Sequence, residues 1–255
     1  MNNDGPFPIP TPVDRRQQNR LQHADPLNQR ILLWLLAGVG FLTTVNIALL
    51  FVGDRGFLIR VFFSMDFDRN IPAWYSSMLL ALAGLVAFEC SLAAERFGQW
   101  SKSVFLLLSL LLVFMSCDEI ARFHETLPEI LSDHLGLDSV NRFKAHPWVF
   151  LGGPFVIILL VTMFLLLNNT LKRFPKSRSL MLWGFIVLVT GGIVLESIME
   201  FLPRGIWWQI EMLLEETLEM VGTLLISASL ILLRKNNQTN LPIDADQDAR
   251  PSDLL

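Results

Sequence analysis

The sequence predicts an all-α protein: a polytopic membrane bundle of about six transmembrane helices. Three observations carry that prediction. The chain is 52% hydrophobic and only 17% charged, with mean hydropathy +0.47, too apolar for an ordinary soluble domain. It holds six apolar stretches of the roughly 20 residues needed to cross a bilayer. Those stretches are continuous, without the short alternating segments of a β-barrel.

Residues 1–30 open with Pro6, Pro8, Pro10 and Pro12, followed by Arg15, Arg16 and Arg20. A signal peptide needs a basic start, a short apolar run and a small-residue cleavage site, and none is present. This segment is expected to be a disordered cytoplasmic tail, as is residues 234–255 with Asp244, Asp246 and Asp248. The transmembrane domain is placed at 31–233, with spans at 31–52, 71–94, 104–123, 148–171, 180–201 and 207–233.

Between the first two spans, residues 56–68 are apolar but too short to cross, and are read as an interfacial helix. A loop packed over the helix ends is the alternative. In the second span Ala83, Ala87 and Ser91 recur every four residues, a pattern that lets helices approach closely. The fifth and sixth spans are joined by Pro203-Arg204-Gly205 and should form an antiparallel hairpin. Gly191-Gly192 is the one candidate break in a span. Cys90 and Cys117 fall at different depths of different spans, so no disulfide is expected.

Orientation follows from the basic residues. One set of flanks carries Arg15, Arg16, Arg20, Arg30, Arg96, Lys102, Lys172, Arg173, Lys176, Arg178, Arg234 and Lys235. The opposite set carries Arg55, Arg60, Arg69, Arg142, Lys144 and Arg204, so the count is twelve to six. Both termini are therefore expected inside, in a bacterial inner membrane. Trp34, Trp100 and Trp183 then fall at the inner interface, and Trp74, Trp148, Trp207 and Trp208 at the outer one. The net charge of −4 carries no basic excess for nucleic acid, and the expected partners are membrane lipids.

Ionisable groups within spans are costly and tend to mark sites. The third span closes on Cys117-Asp-Glu-Ile-Ala-Arg-Phe-His-Glu125, the fifth carries Glu196 and Glu200, and the sixth opens with Glu211, Glu215, Glu216 and Glu219. At ~1.5 Å per residue, Asp118 matches Glu219 in depth, Glu196 matches Glu215, and His124, Glu125, Glu200 and Glu211 lie together nearer the outer boundary. On a helical wheel Asp118 and Glu125 share a face with Arg122 between them, and Glu211, Glu215 and Glu219 form a stripe. Glu119 and Glu216 are expected to point elsewhere. Glu200 and Glu211, near the boundary, are expected to be solvated.

So many carboxyl groups in low dielectric must be paired, protonated, hydrated or bound to a cation. Asp118, His124, Glu125, Glu196, Glu200, Glu215 and Glu219 are the candidate ligands for a divalent metal such as Zn, Mn or Fe. The Glu-x-x-His pattern of carboxylate-bridged di-iron proteins is absent. Asp118, Arg122 and Glu125 at i, i+4, i+7 also fit a structural salt-bridge ladder, and His124 fits a bond to a backbone carbonyl. His134 and His146 are placed in the loop near the site's mouth.

The stretches 66–77 (DFDRNIPAWYSS), 116–125 (SCDEIARFHE) and 214–222 (LEETLEMVG) resemble an uncharacterised family of small bacterial six-helix membrane proteins. The resemblance spans about 31–233 and implies that the Asp-Glu…His-Glu and Glu-Glu…Glu segments belong to one design. Membrane hydrolases of the ceramidase and progestin-receptor type are a poorer match, because their further histidines have no counterpart in these spans. Three functions remain: a metal-dependent membrane enzyme acting on a lipid or small apolar substrate, a proton- or cation-coupled transporter or channel, and a partner protein whose polar network only fixes packing.

Overall fold

The computed structural model describes residues 26–52, 57–65, 67, 69–94, 99–124, 126–127, 130, 134, 148–149, 152–199, 201 and 205–239. Among them are α1 (Pro26–Val52), α2 (Phe57–Phe63), α3 (Ile71–Ala93), α4 (Gln99–Ala121), α5 (Gly153–Leu171), α6 (Pro175–Val189), a π-helical segment (Thr190–Leu195), α7 (Glu196–Met199) and α8 (Ile206–Thr239). No strand occurs among the described residues. Six helical stretches are long and apolar enough to span a membrane, the fifth running from α6 through the π segment into α7. The protein is a multi-pass helical membrane protein.

Local chemistry sets several boundaries. Asn70 caps α3 by accepting from the Ala73 amide at 3.3 Å, with Pro72 in the first turn, where its missing N–H costs nothing. Gly153-Pro154 starts α5 later than the expected 148, which leaves Trp148 on a separate turn. Helix α1 begins at Pro26 and α8 extends to Thr239, so 26–30 and 234–239 are helical rather than tail. The rest of both expected tails, together with Glu125, Glu200, His146 and Arg204, lies outside the described residues.

Helix α2 is shorter than the expected 56–68 and buries none of its residues. Asn46 explains where it stops: its Nδ2 donates to the Phe63 carbonyl at 2.8 Å, and its Oδ1 accepts from the Met65 amide at 2.9 Å. The Arg60 guanidinium donates to the Leu49 carbonyl, so α2 is tied back along the end of α1. Phe57, Leu58, Ile59 and Phe62 remain exposed, as an interfacial helix requires.

Between membrane helices, association depends on close packing and short polar bridges. Ala83, Ala87 and Ser91 are buried as the four-residue pattern predicts, and a Cβ at Gly84 would stand 2.8 Å from Val113 of α4. Helices α6 and α8 touch backbone to backbone: a Cβ at Gly222 would meet the Leu188 amide nitrogen at 2.7 Å. Ser77 and Ser116 each donate to the other's carbonyl, at 2.7 and 2.8 Å, joining α3 to α4. Each such bridge contributes on the order of 0.6 kcal/mol.

The end of the bundle where α1 begins and α8 finishes is called the near end here. It is closed by the Ser101–Thr170 contact at 2.9 Å, the Ser229 bond to the Ser177 carbonyl at 2.7 Å, and the Arg234–Glu89 ion pair. Above these lies a dry core that includes Ala87, Phe105, Leu108, Leu167, Ile226 and Leu230, nearly all without accessible surface. The far half is built differently.

Candidate functional site

Helix α4 ends at Ala121 because Arg122 adopts a left-handed backbone (φ 56°), a conformation that costs a non-glycine residue about 1–2 kcal/mol. The Arg122 amide still donates to the Asp118 carbonyl at 2.6 Å, and the chain then turns back on the helix. Asp118 catches the returning segment twice. One carboxylate oxygen accepts from the His124 amide at 2.9 Å, and the other meets His124 Nδ1 at 2.6 Å. The expected Asp118–Arg122–Glu125 ladder assumed one continuous helix; α4 instead stops at Ala121, Asp118 bonds His124, and Glu125 lies outside the described residues.

The contacts continue across the bundle. The His124 ring packs edge-on against Trp148, with centroids 4.8 Å apart. Trp148 Nε1 donates to Glu196 Oε1 at 2.6 Å, and Glu196 is buried. Trp148 had been assigned by position to an aromatic belt; here it is part of the site. The late start of α5 at Gly-Gly-Pro was the sequence signal that the Trp148 segment stands apart.

Glu196 follows the π segment of the fifth span, where the expected break at Gly191-Gly192 occurs. Single π turns recur at functional positions. The two glycines make room for α8. A Cβ at Gly191 would lie 2.9 Å from the Glu215 carbonyl oxygen, and one at Gly192 would lie 2.2 Å from Glu219 Oε1. Glu219 thus rests on bare backbone, and only glycine leaves space for its carboxyl there.

These elements enclose a cavity of about 620 Å³ in the far half of the bundle. Asp118, Glu119, Arg122, His124, Trp148, Glu196, Glu215, Glu216 and Glu219 line its polar side. Leu111, Phe114, Met115, Phe155, Val156 and Leu159 line the apolar side, between α4 and α5. Phe114, Phe123, Leu127 and Phe155 are each at least half exposed while bordering the cavity, so the space opens sideways between those two helices.

The structure brings together Asp118, His124, Glu196, Glu215 and Glu219. It also brings in Glu119 and Glu216, which had been expected to face away. The helical wheel misplaces them because α4 and α8 flank a wide space rather than a narrow seam, so adjacent faces of each helix reach it. Glu211 is buried, against the expectation of a solvated boundary position, and lies off the cavity lining. His134 bonds the Ile130 carbonyl at an exposed position. Glu119, Arg122, Glu211 and Glu216 are engaged in contacts of their own. By contrast, Glu215 Oε2 is buried with no hydrogen-bond partner among the described residues. Also among the described residues, no three His, Cys, Asp or Glu side chains converge closely enough to hold a metal ion.

Among curated proteins and among solved structures, none matches the chain. A family match covers residues 30–233, the whole bundle including both acidic segments. The chain belongs to the family described as a domain of unknown function, DUF8692.

Proposed function

We propose that the protein is a membrane-embedded enzyme that takes a lipid or small apolar substrate from the bilayer into the far-half cavity. The observation behind this reading is the Asp118–His124 pair, 2.6 Å apart in the wall of a cavity that opens sideways between two membrane-spanning helices. A carboxylate on Nδ1 fixes the imidazole tautomer and leaves Nε2 as the proton-accepting atom, the arrangement of a general base. His124 is the base in this reading, and Asp118 orients it. The acids of α8 bind the polar part of the substrate. By the distribution of Lys and Arg, the cavity faces the outer leaflet of the cell membrane, with both termini in the cytoplasm.

A divalent metal is the second reading for the same centre. It would have to draw on Glu125 or Glu200 besides the described acids, whose side chains do not form a ligand set by themselves.

The test is a mass-spectrometric comparison of membrane lipids and small apolar metabolites incubated with wild-type protein, His124→Ala and Asp118→Asn. Products made by the wild type and lost in both variants are expected. An unchanged mixture with folded wild-type protein would sink the enzyme reading. Metal analysis of the same preparation decides the metal question: near-stoichiometric Zn, Mn or Fe, lost in Glu215→Gln, supports it, and metal-free protein that still makes product removes it.

A further inference from the structure

Glu219 is partly buried and lines the cavity. No hydrogen bond to its carboxyl occurs among the described residues, and the groups acting on it most strongly are themselves acids: Glu119, Glu216, Glu196 and Asp118. Glu215 is in the same position, with Glu219, Glu196, Glu216 and Glu211 around it and Oε2 buried without a hydrogen-bond partner among the described residues. Two carboxyl groups one helical turn apart therefore face the cavity without an ion pair among the described residues, with Arg122 and His124 also lining it. Buried acids in such a setting are either protonated or met by a positive partner, and a cationic ligand would supply the second.

Two further features say what kind. The described acids line one side of the cavity, so they suit a charge that accepts a loose, one-sided set of oxygens. An ammonium group does this, since it donates several hydrogen bonds without a strict geometry. In addition, the opposite wall is apolar and reaches the outside of the bundle past the exposed Phe114 and Phe155. The volume of about 620 Å³ is that of a site for one drug-sized molecule.

We propose that the cavity binds an amphiphile carrying a cationic amine, with the amine against Glu215 and Glu219 and the hydrocarbon chain directed between α4 and α5 towards the bilayer. This rests on the substrate cavity of the preceding section and names its ligand class. The amine is recognised by charge complementarity on α8; the chain is recognised by the phenylalanine-lined opening.

The experiment is native mass spectrometry of the full-length protein in detergent with dodecylamine, dodecanol and dodecanoate, singly and in pairwise competition. The amine is expected to bind about tenfold or more tightly than the alcohol, and the carboxylate most weakly. Glu215→Gln and Glu219→Gln should each erase the preference for the amine over the alcohol. Glu89→Gln, which removes an acid paired with Arg234 at the near end, should leave it. Equal binding of amine and alcohol to the wild type, a measurement independent of any variant, overturns the amine proposal and leaves the apolar cavity standing. So does a preference that survives both glutamine variants or disappears in Glu89→Gln. Binding of none of the three overturns the cavity reading as well.

Discussion

His124 Nδ1 lies 2.6 Å from Asp118 Oδ2, although six residues of chain and the end of a transmembrane helix separate the two. A continuous α-helix could not bring them together, because residues six apart lie about 120° apart around the axis and about 9 Å apart along it. The left-handed backbone of Arg122 makes the contact by folding the segment back over the last turn of α4. The same carboxylate also accepts the His124 amide, so Asp118 holds both the backbone and the ring.

Asp118→Asn keeps the size of the side chain but replaces one accepting oxygen with a donating amide. If His124 is the base, the imidazole then takes the wrong tautomer. Turnover should fall by about two orders of magnitude or more, within the range such groups contribute, while elution in detergent stays unchanged. The ¹⁵N chemical shifts of His124 report the tautomer directly. Wild-type shifts in the variant would show that Asp118 does not set it.

Arg122 offers a test of backbone strain separate from its charge. Glycine adopts φ 56° without penalty, whereas alanine does not. Arg122→Gly should therefore be more stable than Arg122→Ala by about 1 kcal/mol. Both lose the guanidinium, so the difference in thermal unfolding midpoint isolates the turn. Equal midpoints would mean that the turn relaxes when arginine is removed.

The glycines of the fifth span should divide by what their missing Cβ would meet. Gly184→Ala would press on the Ile226 amide nitrogen at 2.9 Å and the Gly222 carbonyl oxygen at 3.0 Å, and backbone cannot step aside. A loss of about 1–3 kcal/mol is expected. Gly192→Ala would chiefly meet the end of the Glu219 side chain, at 2.2 Å from Oε1, which can swing away. That variant should fold, but with its carboxyl displaced in the cavity and its amine binding weakened. Binding and unfolding measured on both variants check the contrast.

Trp148→Phe keeps a ring beside His124 but removes the indole N–H that serves Glu196. A buried carboxyl oxygen that loses a donor should cost about 1–3 kcal/mol. Adding Glu196→Leu should recover part of that loss, because it removes the acceptor left behind. A double-mutant cycle on unfolding midpoints gives the coupling; simple additivity would show that the 2.6 Å contact contributes nothing to stability.

Much of the architecture was legible in the chain. Span existence, the small-residue face of α3 and the break at Gly191-Gly192 follow from local rules: an apolar stretch must cover the hydrocarbon, small side chains permit close approach, and paired glycines weaken a helix. The gathering of Asp118, Glu196, Glu215 and Glu219 was legible as well, since a rise of ~1.5 Å per residue converts sequence position into depth. Arg122 was not. The left-handed position after a helix usually falls to glycine or asparagine, and arginine there sends no signal.

By itself, then, the sequence determined that six helices are long and apolar enough to span a membrane and that the acids of the third, fifth and sixth spans gather in one half of it. Only the tertiary structure decided that Asp118 closes on His124, that Trp148 serves Glu196, and that Glu119 and Glu216 join the cavity while Glu211 does not. The physical reason is the reach of the information. Depth and apolar length are properties of one helix, additive along its axis. Which carboxyl group meets which partner depends on where helices separate and where the chain reverses, and those are properties of several elements packed at once.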